Sequence, residues 1–155
     1  MPFTVEDAVR LARSAHAGQC DKSGQPYIGH PLRMMARLQT DSERMVAALH
    51  DVLEDSEDST ATLAELRRAG CPQEILDAVL ALTKVPGEGL EASMARVVAD
   101  PLAYRVKRAD LDDNTDPVRL ARLDPVTAQR LRSKYARSRR LLEDYSRGCR
   151  GHLER

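Results

Sequence analysis

Ala47-Ala48-Leu49-His50-Asp51-Val52-Leu53-Glu54-Asp55 sets an imidazole and a carboxylate side by side inside an apolar run. Charged groups buried at such a position need a compensating partner. A divalent metal ion would serve, since neutral imidazole and carboxylate together suit transition ions. Met45, Leu49, Val52 and Leu53 supply an apolar face, which predicts a helix from Asp41 or Ser42 to about Asp55. On it Glu54 follows His50 by four residues and Asp55 follows Asp51 by four, so helical spacing clusters the two pairs. With His50 and Asp51 on a metal, Glu54 and Asp55 remain free to orient a water and accept its proton. The alternative is an acidic helix terminus running into a solvated loop.

Helix signals continue on both sides, and the alternation and hairpin turns of strands are missing, so the expected fold is all-α. Thr4 with Glu6 and Asp7 opens a first helix with Val5, Ala8, Ala12 and Ala15 on one stripe, stopping near Gly18. A loop covers Gln19 to His30, and Pro31 begins a short second helix with Leu32, Met35 and Leu38 inward. Thr62 and Glu65 read as a capping box for a fourth helix ending at Gly70. Pro72 opens a fifth with Ile75, Leu76, Val79, Leu80 and Leu82, and Gly87 and Gly89 then break the chain. A sixth covers Leu90 to Ala99. The Asp-Pro pairs at 100 and 124 each pair an N-cap with a first-turn proline, starting helices at Pro101 and Pro125. The last carries Leu131, Tyr135, Leu142 and Tyr145 on one side and ends at Gly148. The expectation is one domain over residues 1–155, a bundle of about eight helices, with 148–155 frayed.

Composition narrows the function. With 31% charged and 42% hydrophobic residues, the balance is that of a globular chain and excludes disorder. Lys+Arg and Asp+Glu are 24 each, so no global charge draws the protein to nucleic acid or an anionic membrane. The basic stretch from Arg119 to Arg140 is interrupted further on by Glu143 and Asp144 and has few aromatic neighbours, so it reads as a solvated or intersubunit helix. The start, Met1-Pro2-Phe3-Thr4, lacks a secretory pattern, and no stretch approaches the roughly 20 apolar residues of a membrane span, so a cytoplasmic protein is expected. Cys20, Cys71 and Cys149 are widely spaced and read as free thiols.

Two adjacent residues do not make a metal site. His30, directly before Pro31, and Asp110, within Lys107-Arg108-Ala109-Asp110-Leu111-Asp112-Asp113-Asn114, offer the remaining ligands from helix boundaries. A histidine, an HD pair and a distant aspartate in that order resemble the HD superfamily of metal-dependent phosphohydrolases. The resemblance is closer still to the hydrolase domain of RelA/SpoT proteins and to the small alarmone hydrolases. Its landmarks are Ala15-His16-Ala17-Gly18-Gln19, Lys22-Ser23-Gly24-Gln25-Pro26-Tyr27-Ile28-Gly29-His30-Pro31, the segment from Ala48 to Asp55, Ala81-Leu82-Thr83-Lys84, and Val106 to Asn114.

That resemblance implies that His30, His50, Asp51 and Asp110 hold a metal, manganese in most relatives, and that Glu54 and Asp55 are the catalytic acids. It places Lys22, Ser23 and Asn114 along a nucleotide pocket. Lys22 and Lys84 are candidate phosphate clamps. The implied activity is hydrolysis of a nucleotide phosphate ester or pyrophosphate bond, first of all the 3′-pyrophosphate of guanosine 3′,5′-bis(diphosphate). The alternatives are another nucleotide phosphatase, such as one acting on NADPH, and a non-catalytic metal-bound nucleotide sensor. The implied partner is a small nucleotide, with no nucleic acid polymer and no membrane.

Two positions depart from the alarmone pattern. A basic residue usually precedes the lysine of Lys-Ser-Gly and packs on the base, and here it is Asp21, which offers no cation to a ring. A tyrosine usually follows a few residues after the Gly-Glu pair, and here the chain reads Gly89-Leu90-Glu91-Ala92-Ser93-Met94. Of the other candidates, His16 reads as a hydrogen-bonded structural histidine under the loop, and His152 as inert. Tyr27 reads either as a base-stacking ring or as core, and Met34 and Met35 as core fillers.

Overall fold

The computed structural model describes residues 2–153, with side chains as far as Gly148. Among the described residues nine helices follow one another: α1 (Val5–Ala15), α2 (Gly29–Ala36), α3 (Asp41–Leu49), α4 (Ser59–Arg68), α5 (Gln73–Leu82), α6 (Leu90–Val98), α7 (Pro101–Asn114), α8 (Pro117–Leu120) and α9 (Pro125–Leu153). The only strand-like pairing among the described residues is one antiparallel contact of Cys20 with Pro26. No described helix is long and apolar enough to cross a membrane.

Several ends are set by the caps that the sequence announces. Thr4 accepts from the Asp7 amide while the Asp7 carboxylate receives the Thr4 amide, a reciprocal capping box. Asp100 accepts from the amides of Leu102 and Ala103, both at 3.0 Å, with Pro101 in the first turn. Replacing Asp100 by alanine strands two amides and should cost about 1 kcal/mol, read as a melting-temperature drop of about 2–4 °C in a thermal scan.

Other boundaries differ from expectation. α3 stops at Leu49, so His50 and Asp51 stand at its exit and the chain runs on through turns to Asp55. The cause is local: His50 Nδ1 lies 2.7 Å from the Ala47 carbonyl, the acceptor that the Asp51 amide would need for another helical turn. α2 begins at Gly29, two residues before Pro31, because the Gly29 and His30 amides already donate to the carbonyls of Pro26 and Tyr27. α4 begins at Ser59, with Asp58 as its cap. Thr62 lies inside the first turn and bonds the Asp58 carbonyl, so the Thr62–Glu65 capping box does not form. α8 was not foreseen, although Asp116-Pro117 repeats the signature of the other two Asp-Pro starts, and Asp116 accepts from the Val118 amide at 2.8 Å. α9 continues through Leu153, past Gly148. The fraying expected for 148–155, the free thiol of Cys149 and the side chain of His152 fall wholly or partly outside the described residues.

The core is centred on α3 and α7. α3 is enclosed by α1, α2, α5 and α7, while α6 joins α7 to α9. Met34, Val46, Leu49, Leu66, Ile75, Leu76, Val79, Val97, Val106, Leu111 and Leu142 are fully enclosed. The inward faces are rotated slightly from expectation. In α2 it is Met34 that is buried most deeply, in α1 Ala15 is exposed, and in α5 Ala78 and Ala81 point inward while Leu80 is exposed. Cys20 and Cys71 are free thiols; burial pushes the Cys71 thiol up to about 11.

Candidate active site

Four segments meet where the HD pair leaves α3. His30 comes from the first turn of α2, His50 and Asp51 from the exit of α3, and Lys107, Asp110 and Asn114 from one face of α7 at spacings of three and four. The loop after α1 closes the fourth side. Ligand atoms of His30, His50 and Asp51 lie within 4.8 Å of one another.

Each histidine has one nitrogen fixed from behind. His30 Nδ1 is 2.6 Å from Asp113 Oδ2, which can only accept, so Nδ1 carries a proton and Nε2 faces Asp110 Oδ1 at 2.9 Å. Burial pulls the His30 imidazolium down, but Asp110 and Asp113 outweigh it and hold it above its ordinary value. His50 is different. Burial lowers its imidazole to about 4 against the opposing pull of Asp110, so the ring is neutral and Nδ1–H donates to the Ala47 carbonyl. Nε2 then presents a lone pair 3.0 Å from Asp51 Oδ2 and 3.9 Å from Asp110 Oδ1, with no hydrogen-bond partner.

A buried lone pair facing two carboxylates is repulsive, and a cation relieves it. The carboxylates tell the same story. Burial raises Asp51 well above the usual range, and Asp110, Glu54 and Asp55 push the same way. Burial acts on Asp110 too, yet Lys107 and His30 hold it well below the usual range; Lys107 Nζ donates to Oδ2 at 2.8 Å and Asn114 Nδ2 to Oδ1 at 2.9 Å. Two imidazole nitrogens and the Asp51 carboxylate, with Asp110 beside His30, fit a divalent transition ion by donor type.

Around this floor lies a cleft of about 460 Å³, within the range of small-ligand sites. Lys22, Ser23, Lys84 and Asn114 all line it, as does Glu54. Asp55 does not; its Oδ2 accepts from Gln19 Nε2 at 3.1 Å and lies 3.7 Å from His16 Nδ1. His16 sits buried under the loop with Nδ1 2.9 Å from Gln19 Oε1. Tyr27 packs between His16 and His30 in tilted and edge-on contacts, ring centroids 4.8 and 5.9 Å apart, it lines the cleft, and its hydroxyl donates to Asp51 Oδ2.

Asp21 is not the free anion its position suggested. Its Oδ1 accepts from the Ser23 amide, the Ser23 hydroxyl and the Gln25 amide, and these bonds outweigh burial to lower its carboxyl. Arg119 stands 3.6 Å from its Oδ2. Gly24, at φ +83°, makes the turn that brings these amides round. Where the expected tyrosine is missing, Leu90, Ser93 and Met94 form the wall, and Tyr135 of α9 supplies an aromatic ring from the other side. Lys107, Arg119, Lys134 and Tyr135 are lining residues that spacing alone did not mark. Arg119 had a signal in the overlooked Asp116-Pro117 start of α8, and Lys107 in the segment from Val106 to Asn114.

No protein-family model matches the chain. Over 118 residues it is 39% identical to a GTP pyrophosphokinase of Streptomyces coelicolor, an alignment that covers 68% of this chain and 14% of that protein. It is 34% identical over 116 residues to a guanosine-3′,5′-bis(diphosphate) 3′-pyrophosphohydrolase of Vibrio cholerae, covering 67% of this chain and 16% of that one. The solved structure of a metazoan ortholog of SpoT superposes with a TM-score of 0.71 and 22% identity, covering 93% of this chain and 85% of that one. The chain is a RelA/SpoT-like HD domain. It spans no more than 16% of the length of these two curated relatives. The departures at Asp21 and after Glu88 both fall along the cleft, which Asp21, Leu90, Ser93 and Met94 line.

Proposed function

We propose that the chain is a metal-dependent nucleotide hydrolase of the cytoplasm that removes the 3′-pyrophosphate of guanosine 3′,5′-bis(diphosphate). The observation that carries the reading is the convergence of His30, His50 and Asp51, with Asp110 2.9 Å from His30 Nε2, beneath a lysine-lined cleft. The Vibrio relative is named for that reaction, and the metazoan SpoT ortholog is described as hydrolysing ppGpp.

In this reading the two Nε2 atoms and the carboxylates of Asp51 and Asp110 hold a divalent ion, manganese first. When bound, such an ion offsets charge on the attacked phosphoryl group and lowers the pKa of water from 15.7 toward about 7. The chain's own groups do the rest. Glu54, on the cleft wall and exposed, accepts the proton of the attacking water. Asp55, held by Gln19, keeps the Glu54 turn in place. Tyr27 steadies Asp51 from the loop side, and Asn114 steadies Asp110.

Lys22, Lys84, Lys107 and Lys134 present positive charge around the cleft; burial and the first three lysines together lower the Lys134 ammonium. Such crowding of like charge is relieved by a polyanion, and a nucleotide carrying two diphosphates supplies one. Ser23 and the half-buried Tyr135 stand where a base enters.

The test is direct. Purified protein with manganese is incubated with guanosine 3′,5′-bis(diphosphate) and, separately, with NADPH, and products are separated by anion-exchange chromatography. Pyrophosphate released from the alarmone is the expected result, and Lys84→Ala should raise KM about tenfold with little change in kcat. Phosphate released only from NADPH would keep the hydrolase and replace the substrate. Binding of the alarmone without any product would leave a sensor in place of an enzyme.

A further inference from the structure

Asp113 is among the most deeply buried charged residues of the molecule, 1% exposed, on the far side of His30 from the cleft. Its two oxygens take bonds from three side chains on two helices, α2 and α8. His30 Nδ1 lies 2.6 Å from Oδ2, Arg33 Nε donates to Oδ1 at 2.9 Å, and Arg119 Nη1 donates to Oδ2 at 2.8 Å. Arg119 also donates to the Asp113 carbonyl at 3.0 Å and lies 3.6 Å from Asp21 Oδ2 in the substrate loop.

A carboxylate this deep would be costly unless fully paired, and here two guanidinium groups pair it. An ion-pair knot tying α2 to α7 and α8 would explain the arginines alone. It would not explain why the shortest contact is to an imidazole whose other nitrogen faces Asp110. Because the carboxylate only accepts, it keeps a proton on Nδ1, which leaves Nε2, facing Asp110, as the nitrogen that can give up its proton to a divalent ion. It also makes the ring a stronger donor, as carboxylate partners of metal-binding histidines do. His50 has only the neutral Ala47 carbonyl in the equivalent place, so the two histidines are unequal.

We infer that Asp113 is a positioning residue for the metal site, its carboxylate, anchored by Arg33 and Arg119, setting the tautomer and orientation of His30 and hence the affinity of the site for a divalent ion. This rests on the reading of His30 as a ligand. It also makes Arg119 a link between the metal histidine and the loop that carries Lys22 and Ser23.

The test measures binding of manganese alone to the full chain by titration calorimetry. Asp113→Asn keeps the shape and one acceptor oxygen but removes the charge, and it should weaken manganese by about 10–100-fold. His30→Ala is the reference. If it binds manganese as tightly as the unaltered protein, the ligand assignment falls and this inference with it. If it loses the metal while Asp113→Asn retains full affinity, the role of Asp113 alone is overturned, and the residue is only an ion-pair knot. Should Asp113→Asn fail to fold, long-range proton–nitrogen NMR of the unaltered protein loaded with diamagnetic zinc decides. A proton-bearing Nδ1 on His30 supports the inference, and a proton-free Nδ1 overturns it.

Discussion

Asp51→Asn is expected to abolish hydrolysis while raising the melting temperature of the metal-free protein. The side chain is half-buried among Asp110, Glu54 and Asp55, and the fold disfavours its ionised form, desolvation first and the three acids after it. At neutral pH that carboxylate is therefore a local cost to the folded state, partly offset by Lys107. Asparagine keeps the oxygen that receives the Tyr27 hydroxyl and removes the repelled charge. A gain of about 1 kcal/mol corresponds to about 2–4 °C in a chain of this size. Turnover should fall by about a thousandfold or more, because a metal carboxylate supplies several kcal/mol of transition-state stabilisation through the ion it retains. Thermal scans with chelator and with manganese check both halves. Manganese should raise the melting temperature of the unaltered protein and leave the variant nearly unmoved. Retained turnover, or an equal manganese shift in both proteins, would remove Asp51 from the site.

Such a trade of stability for function is the usual mark of a built site. It is why the HD pair could be read early: a charged pair inside Ala47-Ala48-Leu49 and Val52-Leu53 has no structural reason of its own. The helix caps were legible for a related reason, since Thr4, Asp100 and Asp124 act on amides within three residues of themselves. What escaped was whatever depended on distant contacts. Asp113 lies 83 residues from His30, and in the sequence it is one of five consecutive polar residues, Asp112 to Asp116, with nothing to distinguish it from Asp112. Asp112 turns outward to Arg139.

Asp21 shows what residue type alone leaves out: three hydrogen bonds within the loop take up its Oδ1 and hold its carboxyl low. The end of α3 was misplaced because the competing bond comes from the His50 side chain, and hydrophobic periodicity does not register a side chain taking a backbone carbonyl. Arg119 and Tyr135 likewise enter the cleft from α8 and α9, far in sequence from the rest of its lining.

Glu54→Gln should separate chemistry from metal binding. Glu54 is exposed on the cleft wall and makes no hydrogen bond among the described residues, so its carboxylate is free to take a proton. Asp55, one residue on, is committed to Gln19 and lies near His16. Glutamine keeps the size of Glu54 and removes its basicity. A general base contributes about 10²–10⁴-fold, so kcat should fall by that factor while manganese affinity, read by titration calorimetry, stays within about twofold. Asp55→Asn acts only through the placement of its neighbour and should cost no more than about tenfold. A kcat that survives Glu54→Gln, or a larger loss in the Asp55 variant, would exchange the two roles, because only the group that takes the proton loses its function when its charge is removed and its shape is kept.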